Sequence, residues 1–310
     1  MGGERNVSIR LAIAVLGAAA ACHVPAVAGG LEPIATLGHP PLGEVSGIAR
    51  SSRPGVFWVH NDSGDRARVF AVTLDGEPVV PIDPDRRRAK RDWPGVELPG
   101  ATNVDWEDIA FEDGTLYIAD TGNNGNARRD LGLYLVREPD PHAAHRTEAV
   151  RFLPLRYPDQ TAYPAEDWEF DCEALFVDRG TPYFLTKHRA AGQWLGFLPG
   201  TKLYRLDTRS TEDNVLTLVG KRADLMMPTA ADLSPDGRQL AVLTYMDLWI
   251  FDRPAEGDDW LSGPARRLPL DRARARTNEA IAWADDRTVI IANEERRLFR
   301  LDVAELEPPD

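Results

Sequence analysis

The 310-residue sequence predicts an all-β chain built from repeats. Two observations carry this. One pattern of short apolar, aromatic-rich runs occurs five times, each run bounded by turn residues. No long helical periodicity follows residue 28. Composition agrees. With 43% hydrophobic and 27% charged residues the chain can bury a core, which excludes wholesale disorder. The 25 Gly and 24 Pro follow no fixed period, which excludes a collagen-like chain.

The first 28 residues stand apart. Arg5 and Arg10 make a positive start, and Leu11 to Ala21 is an apolar run too short to span a bilayer. Ala26-Val27-Ala28 offers the small residues a signal peptidase reads. Residues 1–28 are therefore expected to be a cleaved secretory signal and residues 29–310 the mature domain, periplasmic or extracellular. Lipidation at Cys22 is the variant, weakened by the small residues Ala19-Ala20-Ala21 before it. No later run is long enough for a membrane helix. Cleavage leaves Cys172 as the single cysteine, so no internal bridge and no cysteine-based zinc site is expected.

Each repeat reads as three short strands. The copies begin at Ser46-Gly47-Ile48-Ala49, Glu107-Asp108-Ile109-Ala110, Glu173-Ala174-Leu175-Phe176, Ala231-Asp232-Leu233-Ser234 and Glu279-Ala280-Ile281-Ala282. Second strands follow, such as Val56-Phe57-Trp58-Val59 and Leu116-Tyr117-Ile118-Ala119, then third strands such as Leu203-Tyr204-Arg205-Leu206 and Leu248-Trp249-Ile250-Phe251. A fourth run follows copies two to four, at residues 149–153, 216–219 and 267–270, with Val96-Glu97-Leu98 the candidate after copy one. Four strands per repeat predict a single β-propeller of four-stranded blades. Copy five has no fourth strand of its own, while Leu31 to Leu37 precedes copy one unassigned. An N-terminal strand closing the last blade accounts for both and leaves no open edge. Five blades are expected. Six is the alternative, with a degenerate blade in residues 77–102.

In such a ring the first strands line the channel, so strand-one starts and strand-two ends meet at one mouth. Aligning the copies places Ser46, Glu107, Glu173, Ala231 and Glu279 together. Glu44, Asp105, Asp171, Thr229 and Thr277 lie two residues earlier, and Asn61, Asp120, Lys187, Tyr245 and Asn293 end the second strands. Acids alternate with apolar residues from Asp167 to Glu173, which predicts four carboxylates on one face of one strand. Carboxylates crowded in low dielectric need compensation. A hard cation such as Ca2+, Lys187 with backbone amides, or protonation would each supply it. Structural acids holding neighbouring amides are the plain alternative.

The blocks Val45-Ser46-Gly47-Ile48, Trp58-Val59-His60-Asn61-Asp62, Trp106-Glu107-Asp108-Ile109-Ala110, Tyr117-Ile118-Ala119-Asp120-Thr121-Gly122-Asn123 and Asn278-Glu279-Ala280-Ile281 resemble those of secreted bacterial propellers. The nearest are the SdiA-regulated (YjiK-like) and phytase-like families. The SMP-30/gluconolactonase group is more distant. In that group a channel cation is held by Glu, Asn and Asp, and lactones or phosphoesters are hydrolysed. The resemblance implies Asn61, Glu107, Asp120, Glu173, Glu279 and Asn293 as metal ligands here. Six blades in that group, and Lys187 at a ligand position here, are departures from it.

Other motifs carry less. Asp120 to Asn126 breaks the EF-hand pattern at Gly122 and Leu131 and reads as a blade turn. Gly43-Glu44-Val45-Ser46-Gly47 misses the nucleophile-elbow spacing. Arg86 to Arg91 is a basic run in a chain of net charge −13. That charge argues against nucleic-acid binding. Three functions stay open. The first is an exported module whose acidic mouth binds a small molecule or a cell-envelope partner. The second is a metal-assisted hydrolase of lactones or phosphoesters, with Asp171, Lys187 and His188 as catalytic candidates. The third is a glycosidase using two carboxylates.

Overall fold

The computed structural model describes residues 31–82, 92–148, 150–271, 273 and 277–306. The expected signal segment 1–28 and the basic run 86–91 lie outside them. The described strands form five sheets, antiparallel apart from one short parallel pair, each an expected blade.

Blade 1 holds β2 (Val45–Arg50), β3 (Val56–Asn61) and β4 (Arg68–Thr73), with the short β5 (Pro78–Val79) and β6 (Val96–Glu97) both along β4. Among the described residues, 77–102 therefore supplies an outer edge to blade 1 instead of a sixth blade. Blade 2 holds β7 (Trp106–Glu112), β8 (Thr115–Asp120), β9 (Gly132–Arg137) and β10 (Val150–Arg156). Blade 3 holds β11 (Trp168–Asp178), β12 (Thr181–Arg189), β14 (Thr201–Arg205) and β16 (Thr217–Arg222). Its β13 (Phe197–Leu198) adds to the end of β12, while β15 (Asn214–Val215) runs parallel to β10 of blade 2. Blade 4 is β17 (Pro228–Leu233), β18 (Gln239–Thr244), β19 (Asp247–Asp252) and β20 (Ala265–Pro269). Blade 5 is β21 (Asn278–Trp283), β22 (Thr288–Asn293) and β23 (Arg297–Asp302), completed by β1 (Pro33–Thr36).

The ring closes twice. Inner strand β2 touches both β7 and β21, and β11 and β17 complete the circle. At the outer edge Pro33 and Thr36 pair with Phe299 and Arg297, so the N-terminal strand covers the edge that the last repeat leaves open. Apolar residues on the sheet faces build a core between each pair of neighbouring blades. Trp58, Trp106 and Ile109 meet between blades 1 and 2, and Phe170, Leu175 and Tyr204 between blades 2 and 3. The strand aromatics, Trp58, Tyr117, Tyr204 and Trp249 among them, are buried in these cores, as their alternation predicts.

A bulge interrupts every inner strand near its start. Register shifts fall between Val45 and Gly47, Trp106 and Asp108, Cys172 and Ala174, Pro228 and Ala230, and Asn278 and Ala280. The extra residues are Ser46, Glu107, Glu173, Thr229 and Glu279. This corrects the sequence alignment in blade 4, where Thr229 and not Ala231 is the counterpart of Glu107. It also moves the strand-two ends. Pro228 pairs with Thr244 as Asn278 pairs with Asn293, so Thr244 is the counterpart of Asn293, and Tyr245 falls one residue beyond, as Asp62 does beyond Asn61. A bulge adds a residue that neighbouring strands do not match, and alternation in one strand cannot register it.

Candidate functional site

The bulges turn acids toward the mouth. Glu107, Glu173 and Glu279 are buried, and each lies in the electrostatic field of other mouth acids. One level deeper, Asp108 stoppers the channel. Its carboxylate accepts from the backbone N–H groups of Ile109 at 2.9 Å, Leu175 at 2.8 Å and Ala231 at 3.1 Å, tying blades 2, 3 and 4 together. Asp232 likewise accepts from Leu233 and Trp283 and ties blade 4 to blade 5. These two acids do structural work; the bulge acids above them do not reach neighbouring amides.

The mouth is electrostatically lopsided. On the blade 3 side, Lys187 contacts Glu173, donates to the Tyr245 hydroxyl at 3.0 Å and lies over its ring. Arg189 donates to Asp171 at 2.8 Å, approaches Glu173 at 3.6 Å and also reaches Asn124. Burial alone would lower Lys187, but Glu173, Tyr245 and Glu279 outweigh it and hold the ammonium well above its ordinary range. Burial pushes Glu173 up to about 8 even with Lys187 against it.

On the side of blades 1 and 2, Asp62 (one residue past β3), Asp105 (one residue before β7) and Glu107 bring carboxylate oxygens within 4.8 Å of one another. Among the described residues no hydrogen bond or ion pair reaches the carboxyl groups of Asp105 or Glu107. Asp62 accepts from the backbone N–H of Ser63 at 2.6 Å. Burial pushes Asp105 up to about 7, and Asp62 and Asp171 add to it. Burial likewise raises Asp62, and raises Glu107 well above the usual carboxylate range with help from Glu173, Asp62 and Asp105. Gly122 closes this corner. A β-carbon there would collide with Glu107 Oε1 and Asp105 Oδ2, so the glycine keeps the carboxylates' space free.

The sequence-derived ligand set is dispersed. Glu107 belongs to the carboxylate triad, while Glu173 and Glu279 face Lys187. Asn61 accepts from Gly43 N–H at 3.0 Å and donates to Pro41 O and Asp65. Asn293 accepts from Arg297 N–H at 2.9 Å, which caps its turn. Asp120 pairs with Arg128 at 2.9 Å and accepts from the Asp105 backbone. Of the catalytic candidates, Asp171 is held by Arg189 and by Asn123 N–H, Lys187 by Glu173, and His188 is turned to Glu169 at 3.7 Å.

The expected row of four acids from Asp167 to Glu173 is corrected. Register shifts in β11 break the alternation. Asp171 and Glu173 reach Arg189, Glu169 pairs with Lys202 at 2.8 Å, and Asp167 is exposed. Sequence reasoning missed Asp62, Arg128 and Arg189. A clue existed for the first. Asp62, Tyr245 and Glu294 each follow a strand-two end by one residue, Lys187 follows Thr186, the register counterpart of Asn61 within β12, and all four are polar. The segment Asp120 to Asn126 is a blade turn, locked by Asn123 accepting from Ala127 and Arg128. Cys172 is a free buried thiol that burial pushes up to about 12, which makes it a poor nucleophile.

Residues 40–136 match the model of the phytase-like family, whose description is the esterase-like activity of phytase. The likeness to that family covers this stretch of the chain. It spans blade 1 and the first three strands of blade 2, and so contains Asp62, Asp105 and Glu107. Among solved structures, the allergen Mala s 1 of Malassezia sympodialis is similar, with a TM-score of 0.52 and 11% identity over 87% of this chain and 96% of that one. The PQQ-bound aldose sugar dehydrogenase of Streptomyces coelicolor has a TM-score of 0.48 and 11% identity over 88% and 97% of the two chains. At such identities the likeness to Mala s 1 is one of fold. No curated protein matches the chain. No helix among the described residues is long and apolar enough to cross a membrane.

Proposed function

We propose that this chain is an exported phytase-like propeller that binds a divalent cation, calcium by its donor set, at Asp62, Asp105 and Glu107, and hydrolyses phosphoesters there. One observation carries the proposal: three oxygen donors converge in a corner where, among the described residues, no hydrogen bond or ion pair reaches the last two. Oxygen-only donors of flexible geometry suit calcium. The space left by Gly122 fits the same purpose. A bound cation would supply positive charge for phosphoryl oxygens and acidify a water.

The remaining roles belong to the chain. Asp62, Asp105 and Glu107 would hold the cation from two blades. Glu173, paired with Lys187 and near Arg189, anchors the positive side of the mouth beside Glu107. Asp108, beneath, keeps three inner strands in register. In the reaction a water oxygen bonds to phosphorus, the P–O bond to the alcohol breaks, and the leaving oxygen takes up the proton that the water gives up. The products are an alcohol and phosphate.

Calcium titration by calorimetry, with turnover of a phosphate monoester, tests this. Saturable binding and turnover should both be lost in Glu107→Gln. Binding that the substitution leaves intact would refute the site. The second reading, a binding module in which calcium only stiffens the ring, is favoured by the pairing of Lys187 and Arg189 with carboxylates. Calcium binding without turnover of any ester would select it.

A further inference from the structure

Blade 3 rises above its neighbours at the mouth. Its inner strands β11 and β12 have eleven and nine residues, against six or seven in the inner pairs of the other blades. Both hairpin pairs in blades 2 and 3 turn tightly at the far end, Glu112 against Thr115 and Asp178 against Thr181. The added length therefore lies on the mouth side. Three extra residues of β12 amount to about 10 Å of wall.

That wall ends in an apolar loop. Trp194 is 60% exposed, Leu195 54% and Leu198 45%. They account for three of the large hydrophobic side chains that the described residues leave in water. Val104, beside Asp105 on the neighbouring blade 2, is 45% exposed. The loop is tied to the acidic mouth. Arg189, which holds Asp171 and Glu173, also donates to the Trp194 carbonyl and stacks on Phe197 at 4.7 Å. Phe197 in turn meets the ring of Tyr245, the residue that accepts from Lys187. Exposed apolar groups gathered beside a polar cleft mark a ligand surface.

The charges narrow what ligand fits. A polyphosphate needs several cations free to meet its oxygens. Here the cations that reach the acid cluster are already committed: Lys187 to Glu173, Arg189 to Asp171, and Arg128 to Asp120 and Asp130. Arg129, on the same loop as Arg128, lies over the Tyr163 ring. Further phosphates would face carboxylates instead.

We infer that the substrate is a phosphate monoester of an apolar alcohol, aryl or long alkyl, whose hydrocarbon lies on Trp194, Leu195 and Leu198 while its single phosphate meets the carboxylate triad. This rests on the proposed cation site and names its substrate class. It sets the chain apart from a hydrolase of highly phosphorylated polyols.

The test uses the purified chain with calcium and two exposed-loop variants, Trp194→Ala and Leu195→Ser, which remove no buried side chain. For turnover, 1-naphthyl phosphate is compared with methyl phosphate and with inositol hexakisphosphate. For binding, benzylphosphonate is compared with methylphosphonate by calorimetry. The aryl ester should be preferred in kcat/KM, and Trp194→Ala should cut the aryl-to-methyl ratio about tenfold, chiefly through KM. Preference for the hexakisphosphate, or a ratio unmoved in both variants, overturns the inference. If no phosphoester is turned over, the hydrolase reading fails by itself. Benzylphosphonate binding that weakens about tenfold in Trp194→Ala would then still uphold the apolar subsite, and equal binding of both phosphonates would reject it.

Discussion

Asp105→Asn should stabilise the calcium-free protein at alkaline pH, although it removes a residue of the proposed site. Burial lifts Asp105 from 3.8 to about 7. Below pH 3.8 the carboxyl is protonated in both folded and unfolded chains and contributes nothing. Between the two values the unfolded chain ionises while the folded one keeps its proton, so stability falls as pH rises, and above pH 7 the loss is complete. The gap corresponds to about 4 kcal/mol. Water reaches part of this side chain and screens it, so about 2–4 kcal/mol is expected. For a chain of 310 residues that is a rise in melting temperature of about 3–7 °C.

The assay is a set of thermal melts with a chelator at pH 4.5, 6 and 8. The variant should melt higher than the parent at pH 8, and the two should converge at pH 4.5. With calcium in excess the order should reverse, because only the parent gains ligand-linked stability. A variant that melts lower in chelator at pH 8, or by the same margin at every pH, would show that Asp105 is a structural acid and not a destabilised ligand.

Lys187→Met should cost about 3–5 kcal/mol in urea denaturation, because it strands buried Glu173 and Glu279 without their cation. Adding Glu173→Gln should recover part of that loss, and a single variant within about 1 kcal/mol of the parent would mean that the pair contributes little. Asp108→Ala orphans three buried N–H groups in blades 2 to 4 and should cost about 3 kcal/mol or more. Amide exchange at Leu175 and Ala231 should speed up with it, and unchanged protection at both would count against the stopper role.

A phytase-like match confined to residues 40–136 is consistent with where the site lies. The carboxylate triad is built by the first two blades alone. The later blades supply the counter-charges Lys187 and Arg189 and the apolar wall. On the proposed reading, chemistry and selectivity fall to different repeats of one ring.

Much of the ring was already legible in the amino-acid order, since strand alternation and turn residues act over only a few positions. Five copies of the pattern, the missing fourth strand of the last copy and the unassigned segment Leu31 to Leu37 together specified a closed five-blade propeller. Acids at strand-one starts marked the mouth. What the sequence left open was which acids meet, and with what. The bulges move Thr229 into the place assigned to Ala231 and set Asp62, instead of Asn61, beside Asp105 and Glu107. Arg189 neutralises Asp171, while among the described residues no ion pair reaches Asp105. Such choices depend on pairing between strands and on the approach of loops some 50 to 120 residues apart, such as Asp108 to Ala231 or Lys187 to Tyr245. Alternation along one strand reports which face a side chain takes; only the closed ring decides which charges then share the axis.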